Sequence, residues 1–291
     1  MGYDYDKNPQ GFVPIRPRDK NSQLRRFLSA ISLMKGGRVL EIGAGGGRFI
    51  NAVSNAMPYL DLVGIDISKT SIMLAAQNSN GRIRFLVSDG LSLPFKDGSF
   101  DAVVIMDVIE HVEETGNLLK EVNRVLKRDR IFHAFVPCER NPWTLTWLFW
   151  KVRIGNNLTR KYFGHVQYLT TRELEELMFK EGRFRITEKT FSDHLLSQLI
   201  TLFFHFVPKG ILSIFGEKSV ETLRDSYDYV TQDNKNRLPL FIKVLKSLKS
   251  TWEKSFGKFF GLLVFYESEV LKHCPFMAKG VHVTARKIDS H

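Results

Sequence analysis

Residues Val39–Phe49 read VLEIGAGGGRF, and the rest of the chain is best understood outward from them. Four glycines and one alanine follow a short apolar run, so the backbone there passes close to something a larger side chain would obstruct. A glycine-rich turn from a strand into a helix presents backbone N–H groups and a helix N-terminus to a ligand. A triphosphate loop would need Lys followed by Ser or Thr, whereas Gly47 is followed by Arg48 and Phe49. A dinucleotide loop of the GxGxxG kind needs a third glycine where Arg48 stands, which weakens that reading without excluding it. Glu41, two residues before Gly43, would repel a pyrophosphate and suits a ligand with a cationic group.

Short apolar runs recur along the first half at Arg38–Ile42, Leu62–Asp66, Arg84–Val87, Ala102–Met106 and Ile131–Val136. Helix-like segments fall between them at Phe49–Met57, Ser71–Asn78 and Leu118–Leu126. Buried strands alternating with helices predict βαβ units on a parallel sheet with right-handed crossovers. Ahead of them, Ser22–Leu33 is apolar at Leu24, Phe27, Leu28 and Ile31, which predicts a covering helix. Thr171–Lys180 predicts a helix whose own Thr171 is placed to cap it, with Glu173–Glu176 in its first turns. Arg183–Phe191 and Val281–Arg286 alternate as strands, and the long stretch between them reads as helices inserted into the last hairpin.

Acidic residues punctuate the strand ends: Asp66 in LVGIDIS, Asp89 in VSDGLSLPF and Asp107 in FDAVVIMDVIEHV, followed by LLKEVNRVLKRDRIFHAFVP. Together with the acidic-x-Gly-x-Gly-x-Gly pattern of Glu41–Gly47, these motifs resemble, in order, the class I S-adenosylmethionine-dependent methyltransferases, from about Arg38 to Pro137. The resemblance implies an α/β, Rossmann-like fold: a seven-stranded, mostly parallel sheet with an antiparallel last strand and helices on both faces. It implies S-adenosylmethionine as cofactor, with a binding set of Glu41, Gly43, Ala44, Gly45, Asp66, Ile67, Asp89, Gly90 and Asp107. In that set Asp66 takes both ribose hydroxyls, as charge-assisted bonds of ~1.5–3 kcal/mol each. Asp89 accepts the adenine amino group, Asp107 faces the methionine end, and Gly43 and Gly45 let the chain approach it. Glu41 either meets the ligand's ammonium group or caps the loop's own amides. The sequence departs from the family where Arg128-Asp129-Arg130 replaces a usual ProGlyGly, which is expected to alter a remote turn only.

Domain organisation follows: a methyltransferase core of residues 1–192 with 278–291, an aromatic active-site cover at 138–170, and a helical insertion or lid at 193–277. Methyl transfer is an in-line displacement in which positioning can supply ~7–11 kcal/mol, so a base is needed only if the acceptor must lose a proton first. No Asn/Asp-Pro-Pro-aromatic motif follows the fourth strand, which disfavours adenine-N6 and glutamine-amide acceptors. Cys138 follows the fifth strand and reads as a packed thiol, not a nucleophile. DVIEHV resembles the small-molecule branch, which includes the methyltransferases of ubiquinone and menaquinone biosynthesis. His111 is the leading base candidate, against a role in orienting the next helix; His165, in the aromatic cover, is the second, against simple packing.

Apolar content of 43% suffices for a packed core, and two cysteines support neither a disulfide framework nor a multi-cysteine zinc site, which fits a reducing cytoplasm. No metal ligands are assigned. The N-terminal stretch lacks the apolar core of a signal peptide. Net charge is +11, divided as +3 over residues 1–130 and +8 over 131–291, which favours an anionic partner. In Leu195–Val207 the polar residues Ser197, Gln198, Thr201 and His205 fall on one narrow helical stripe beside a wide apolar face. Phe241–Phe260 repeats the theme with lysines among aliphatics and aromatics. These segments suit the inner face of an anionic membrane or a lid over an apolar, lipid-like acceptor, though packing on one another is also open. Lysines alternating with Leu, Val and Phe disfavour nucleic acid. The alternatives carried are an RNA methyltransferase using the basic half, and a non-catalytic cofactor-binding scaffold whose insertion docks a protein.

Overall fold

The structure is a computed structural model, which describes residues 6, 12, 14–16, 20, 22–151, 164–202 and 258–288. Seven strands form one sheet: β1 Arg38–Ile42, β2 Asp61–Asp66, β3 Ile83–Val87, β4 Phe100–Met106, β5 Leu126–Pro137, β6 Phe184–Ser192 and β7 Gly280–Lys287. Their spatial order is β3-β2-β1-β4-β5-β7-β6. Strands β1 to β5 pair in parallel, and β7 runs antiparallel to both β5 and β6. The strand order reverses between β1 and β4, which opens a crevice beyond their C-terminal ends, where doubly wound sheets take their ligands.

Strand alternation divides the core in two. Val39, Leu62, Ala102 and Val104 point to the face covered by α1 (Ser22–Ile31) and α2 (Arg48–Ala56), where they pack with Leu24, Phe27, Phe49, Ile50 and Val53. Leu40, Ile42, Val63, Ile65, Val103 and Ile105 point to the other face. There they meet Leu118, Leu119, Val122 and Val125 of the helix Thr115–Val125 and Leu174 and Met178 of the helix Thr171–Lys180. Burying both faces is what makes the strands read as continuous apolar runs.

Three local expectations are corrected. The cap of the helix Thr171–Lys180 is Thr170, not Thr171: Thr170 and Glu173 form a reciprocal capping box. Thr171 instead donates from its backbone N–H to Asn141 Oδ1 over 2.7 Å. Arg128-Asp129-Arg130 is not a remote turn but part of β5, where the register jumps from Phe100↔Leu126 to Ala102↔Ile131. Asp129 takes φ 55° in that bulge, the left-handed conformation a glycine would supply and an aspartate tolerates, and Asp101 clasps the bulge through Lys127 at 2.8 Å. On α1, Leu28 is 42% exposed while Arg25 is 6% exposed, so the covering face is turned from the purely apolar one expected.

For the helix Leu195–Thr201 the sequence left open which face turns inward. Its polar stripe faces inward: Ser197 and Gln198 are buried, while Leu195 and Leu199 are 38% and 44% exposed. Backbone N–H groups of Leu196 and Ser197 donate to Glu267, and the Gln198 amide donates to the carbonyls of Asp193 and Met277. Buried carboxylates and carbonyls demanded partners, and the polar stripe supplied them. A second described helical segment, 258–270, lies before β7. The remainder of the expected insertion, including most of Phe241–Phe260 and residues 203–207 of the preceding run, falls outside the described residues. So do residues 152–163 of the aromatic cover. Among the described residues, no helix is long and apolar enough to cross a membrane.

Candidate functional site

The glycine loop connects β1 to α2 and is pinned to the end of β2. Gly43 and Ala44 both donate backbone N–H groups to the Ile65 carbonyl at 2.8 Å, and Gly45 donates to Asp66 Oδ2 at 2.8 Å. Gly43, Gly45 and Gly47 sit at φ 75°, 51° and 81°, conformations a side chain disfavours. At Gly43 an added Cβ would lie 2.1 Å from Val108 Cγ2. The close approach expected there is thus made first by the protein's own segment after β4, across the crevice.

Asp66 is half-buried at the tip of β2, and burial pushes its carboxyl up against the opposing pull of the Ser68 and Gly45 backbone donors. Its Oδ1 accepts from the Ser68 N–H at 2.9 Å. An ionised carboxylate offers about four lone-pair directions. Two are taken by these amides, which leaves two for a vicinal diol. Beyond it, Ile67 is 54% exposed, an apolar wall beside the carboxylate. Asp89 is exposed after β3, with Oδ1 accepting from the Leu91 N–H at 2.9 Å. Gly90 is turned inward, where a Cβ would meet Leu118 at 3.1 Å.

Glu41 is 3% exposed, and burial holds its carboxyl well above the ordinary range. It accepts from the Ile50 N–H in the first turn of α2, one step beyond the glycine loop whose amides it was weighed to cap. Its Oε2 is buried without a hydrogen-bond partner, so the capacity to meet a cation is retained.

Asp107 follows β4 in the left-handed region at φ 55°, a conformation an aspartate tolerates better than most residues. Its carboxylate is ion-paired with Arg26 of α1, which also reaches Asp193 Oδ2 at 3.3 Å and lies 3.7 Å over the Phe135 ring. Burial raises the Asp107 carboxyl and Arg26 opposes the rise. Neither Arg26 nor Asp193 was expected at the site, because each reaches it from far away in sequence.

His111 closes the short 3₁₀ turn Ile109–His111, and His165 comes from the cover segment; their rings lie 4.9 Å apart, edge to face. Main-chain bonds fix the meeting: Val166 and Gln167 both donate to the Glu110 carbonyl, at 2.8 and 3.0 Å. His111 Nδ1 faces the Gly164 carbonyl at 3.2 Å, and His165 Nδ1 lies 3.3 Å from Glu139 Oε1. Burial, reinforced by His165, pushes His111 down to about 4, so it is a neutral imidazole at pH 7. Burial and the neighbouring Asp107 hold Glu110 well above the usual carboxylate range. The two histidines singled out from the sequence therefore meet, in company with Glu110 and Glu139, which were missed. Glu110 had a visible signal in its place beside His111 in DVIEHV; Glu139 had none. Cys138 is fully buried and burial pushes its thiol up, as befits an inert packed residue.

Residues 40–133 match the family model described as a methyltransferase domain. Over 92 residues the chain is 40% identical to the uncharacterised protein MJ1123 of Methanocaldococcus jannaschii, a match covering 32% of this chain and 40% of that protein. Over 112 residues it is 35% identical to the ubiquinone/menaquinone biosynthesis C-methyltransferase UbiE of Geotalea uraniireducens, covering 36% and 48%. The chain thus spans less than half the length of these curated relatives. The solved structure of the cyclase SpnF shares the fold, with a TM-score of 0.56 at 16% identity, covering 97% of this chain and 88% of that one.

Proposed function

We propose that this chain, whose residues 40–133 match a methyltransferase domain, is a class I methyltransferase that transfers a methyl group from S-adenosylmethionine to a small hydrophobic acceptor. The observation that carries the donor is the pairing of Asp66, with two acceptor directions unspent, and Glu41 Oε2, buried without a partner. These residues fit the group. Asp66 accepts the ribose hydroxyls, Ile67 covers a face of the adenine, and Asp89 accepts its amino group. Glu41 and Asp107 balance the charge of the methionine end. When bound, S-adenosylmethionine supplies a methyl group on a cationic sulfur. The chain's contribution is to hold that end in the crevice between β1 and β4. Alignment of this kind is worth ~7–11 kcal/mol of barrier.

The acceptor reading is supported by the identity to UbiE and by apolar side chains facing outward along the described parts of the insertion, Leu195, Leu199, Phe259 and Tyr266. Trp143 and Trp150 of the cover are likewise exposed. With the basic excess of residues 131–291, these suit a peripheral position on the inner face of an anionic membrane. Mass spectrometry of a lipid extract incubated with the protein and labelled S-adenosylmethionine tests the reaction. Label in an apolar small molecule is expected; label confined to RNA or protein would overturn the acceptor. Co-sedimentation with anionic vesicles at low and high salt tests the membrane contact, which fails if nothing pellets.

A further inference from the structure

Two imidazoles and a carboxylate converge at the C-terminal end of β4: donor atoms of Glu110, His111 and His165 all lie within 4.8 Å of one another. The set is built, not accidental. The cover segment is tied to the 3₁₀ turn by the two amides that donate to the Glu110 carbonyl. Because the Gly164 carbonyl can only accept, His111 Nδ1 carries the proton of that 3.2 Å contact. The lone pair then resides on Nε2, which faces Glu110 Oε1 at 3.9 Å. Glu139 Oε1 lies 3.3 Å from His165 Nδ1, at ion-pair distance but off hydrogen-bond geometry, so a small turn of either side chain would make it the orienting carboxylate behind a ligating histidine. Glu110 is 1% exposed, and its Oε2 has no hydrogen-bond partner. A buried carboxyl oxygen in that state either keeps a proton or meets a cation that displaces it. Asp107, Glu110 and Glu139 bring three carboxylates to this neighbourhood, and Arg26 is already engaged by Asp107 and Asp193.

We infer that Glu110, His111 and His165, oriented by Glu139 and the Gly164 carbonyl, bind one divalent transition-metal ion. Ligands at ~2.0–2.2 Å in a tetrahedral arrangement stand ~3.4 Å apart, so the 3.9 Å His111–Glu110 separation must close by about half an ångström, and any pair at the 4.8 Å limit of the set by about 1.4 Å. Two nitrogens and one oxygen suit zinc, iron(II), cobalt(II) or manganese(II) over calcium or magnesium, which prefer oxygen throughout. Three protein ligands leave a position open. The role at that position, unlike the ion site itself, rests on the methyl-donor reading. It would receive an acceptor hydroxyl and make it more acidic. The proton leaves to solvent, the oxygen forms a bond to the methyl carbon, and the carbon–sulfur bond breaks with its electron pair passing to sulfur.

The test is titration of the full chain, stripped with a chelator, with Co²⁺ followed by its visible absorption. One Co²⁺ per chain is expected. His111→Ala and His165→Gln are each expected to weaken it by more than the ~10–100-fold expected of the orienting variant Glu139→Gln. Circular dichroism and S-adenosylmethionine calorimetry on the same samples report folding and donor binding. Should one variant fail to fold, the other decides. Unchanged Co²⁺ affinity in a folded variant, or no stoichiometric binding by the wild type, overturns the site. Co²⁺ binding without donor binding would sink the methyltransferase reading and leave the ion site standing; the reverse would sink the ion site alone.

Discussion

Gly45 donates its backbone N–H to Asp66 Oδ2 over 2.8 Å, so the carboxylate that closes β2 also braces the glycine loop that closes β1. Asp66→Ala therefore removes a brace and the acceptor of a ribose diol together. Two charge-assisted bonds of ~1.5–3 kcal/mol each are lost, partly offset by water, so affinity for S-adenosylmethionine should fall by about 100-fold or more. Asp66→Asn, which keeps one acceptor oxygen, should fall in between. Calorimetry decides, and equal affinity in wild type and Asp66→Ala would remove the proposed donor.

Glu41 couples donor binding to protons. Its carboxyl is held well above the usual range by burial, so in the empty site it retains a proton more readily than a free glutamate. An arriving ammonium group favours the carboxylate and expels that proton. Calorimetry at one pH in two buffers of different ionisation enthalpy should give different apparent binding enthalpies for wild type. Glu41→Gln should give the same enthalpy in both. Buffer-independent binding by wild type would place Glu41 outside the donor's reach.

The parts legible in the sequence are those with local signals. β1 falls at Arg38–Ile42 as its apolar run predicts, and the other strands agree to within a few residues except at the N-terminal end of β5. There the bulge at Asp129 hides strand residues behind three charges. The meeting of His111 with His165 rests on contacts 53 residues apart or more, and the left-handed Asp107 sits where its N–H reaches the Phe135 carbonyl of the neighbouring strand, neither of which periodicity encodes. That the polar stripe of Leu195–Thr201 is the inward one was not legible for the same reason: its partners Glu267 and Met277 lie some 70 to 79 residues away. Amphipathic spacing says that a helix has two faces. Which face turns inward depends on what waits there.

Arg26 is the cation that makes the crevice tolerable to its acids. Its side chain is 16% exposed and bridges Asp107 and Asp193, whose side chains are 36% and 9% exposed. Removing one member of a buried ion network costs ~3–5 kcal/mol, because the remaining charges stay buried. Partial exposure of Asp107 puts Arg26→Met near the lower end, about 3 kcal/mol. Urea denaturation measures it. Adding Asp193→Asn should recover part of the loss by removing one stranded charge; a strictly additive double variant would mean the two residues do not interact.

His133 and His282 give the fold an acid limit. Both are 2% exposed, linked through hydroxyls: His133 to Thr284 at 3.1 Å, His282 to Ser29 at 3.0 Å and to Ser192 at 3.3 Å. Burial pushes His133 down to about 3, and His282 is likewise held well below its ordinary value by burial and by His133. In the unfolded chain each titrates near ~6.5. Between those values the unfolded state binds more protons, so the stability contributed by the neutral ring is full above ~6.5 and declines as pH falls towards the folded value. Glu41 and Glu110, with raised carboxyls, act in the opposite sense, their contribution being full below ~4.5 and lost as pH rises through their folded values. The histidine share is isolated by difference. Wild type minus His133→Gln, from urea denaturation, should shrink by about 1.4 kcal/mol between pH 7.5 and 5.5. A difference that holds constant across that interval would mean His133 exchanges protons alike in both states, and the buried neutral ring would be wrong.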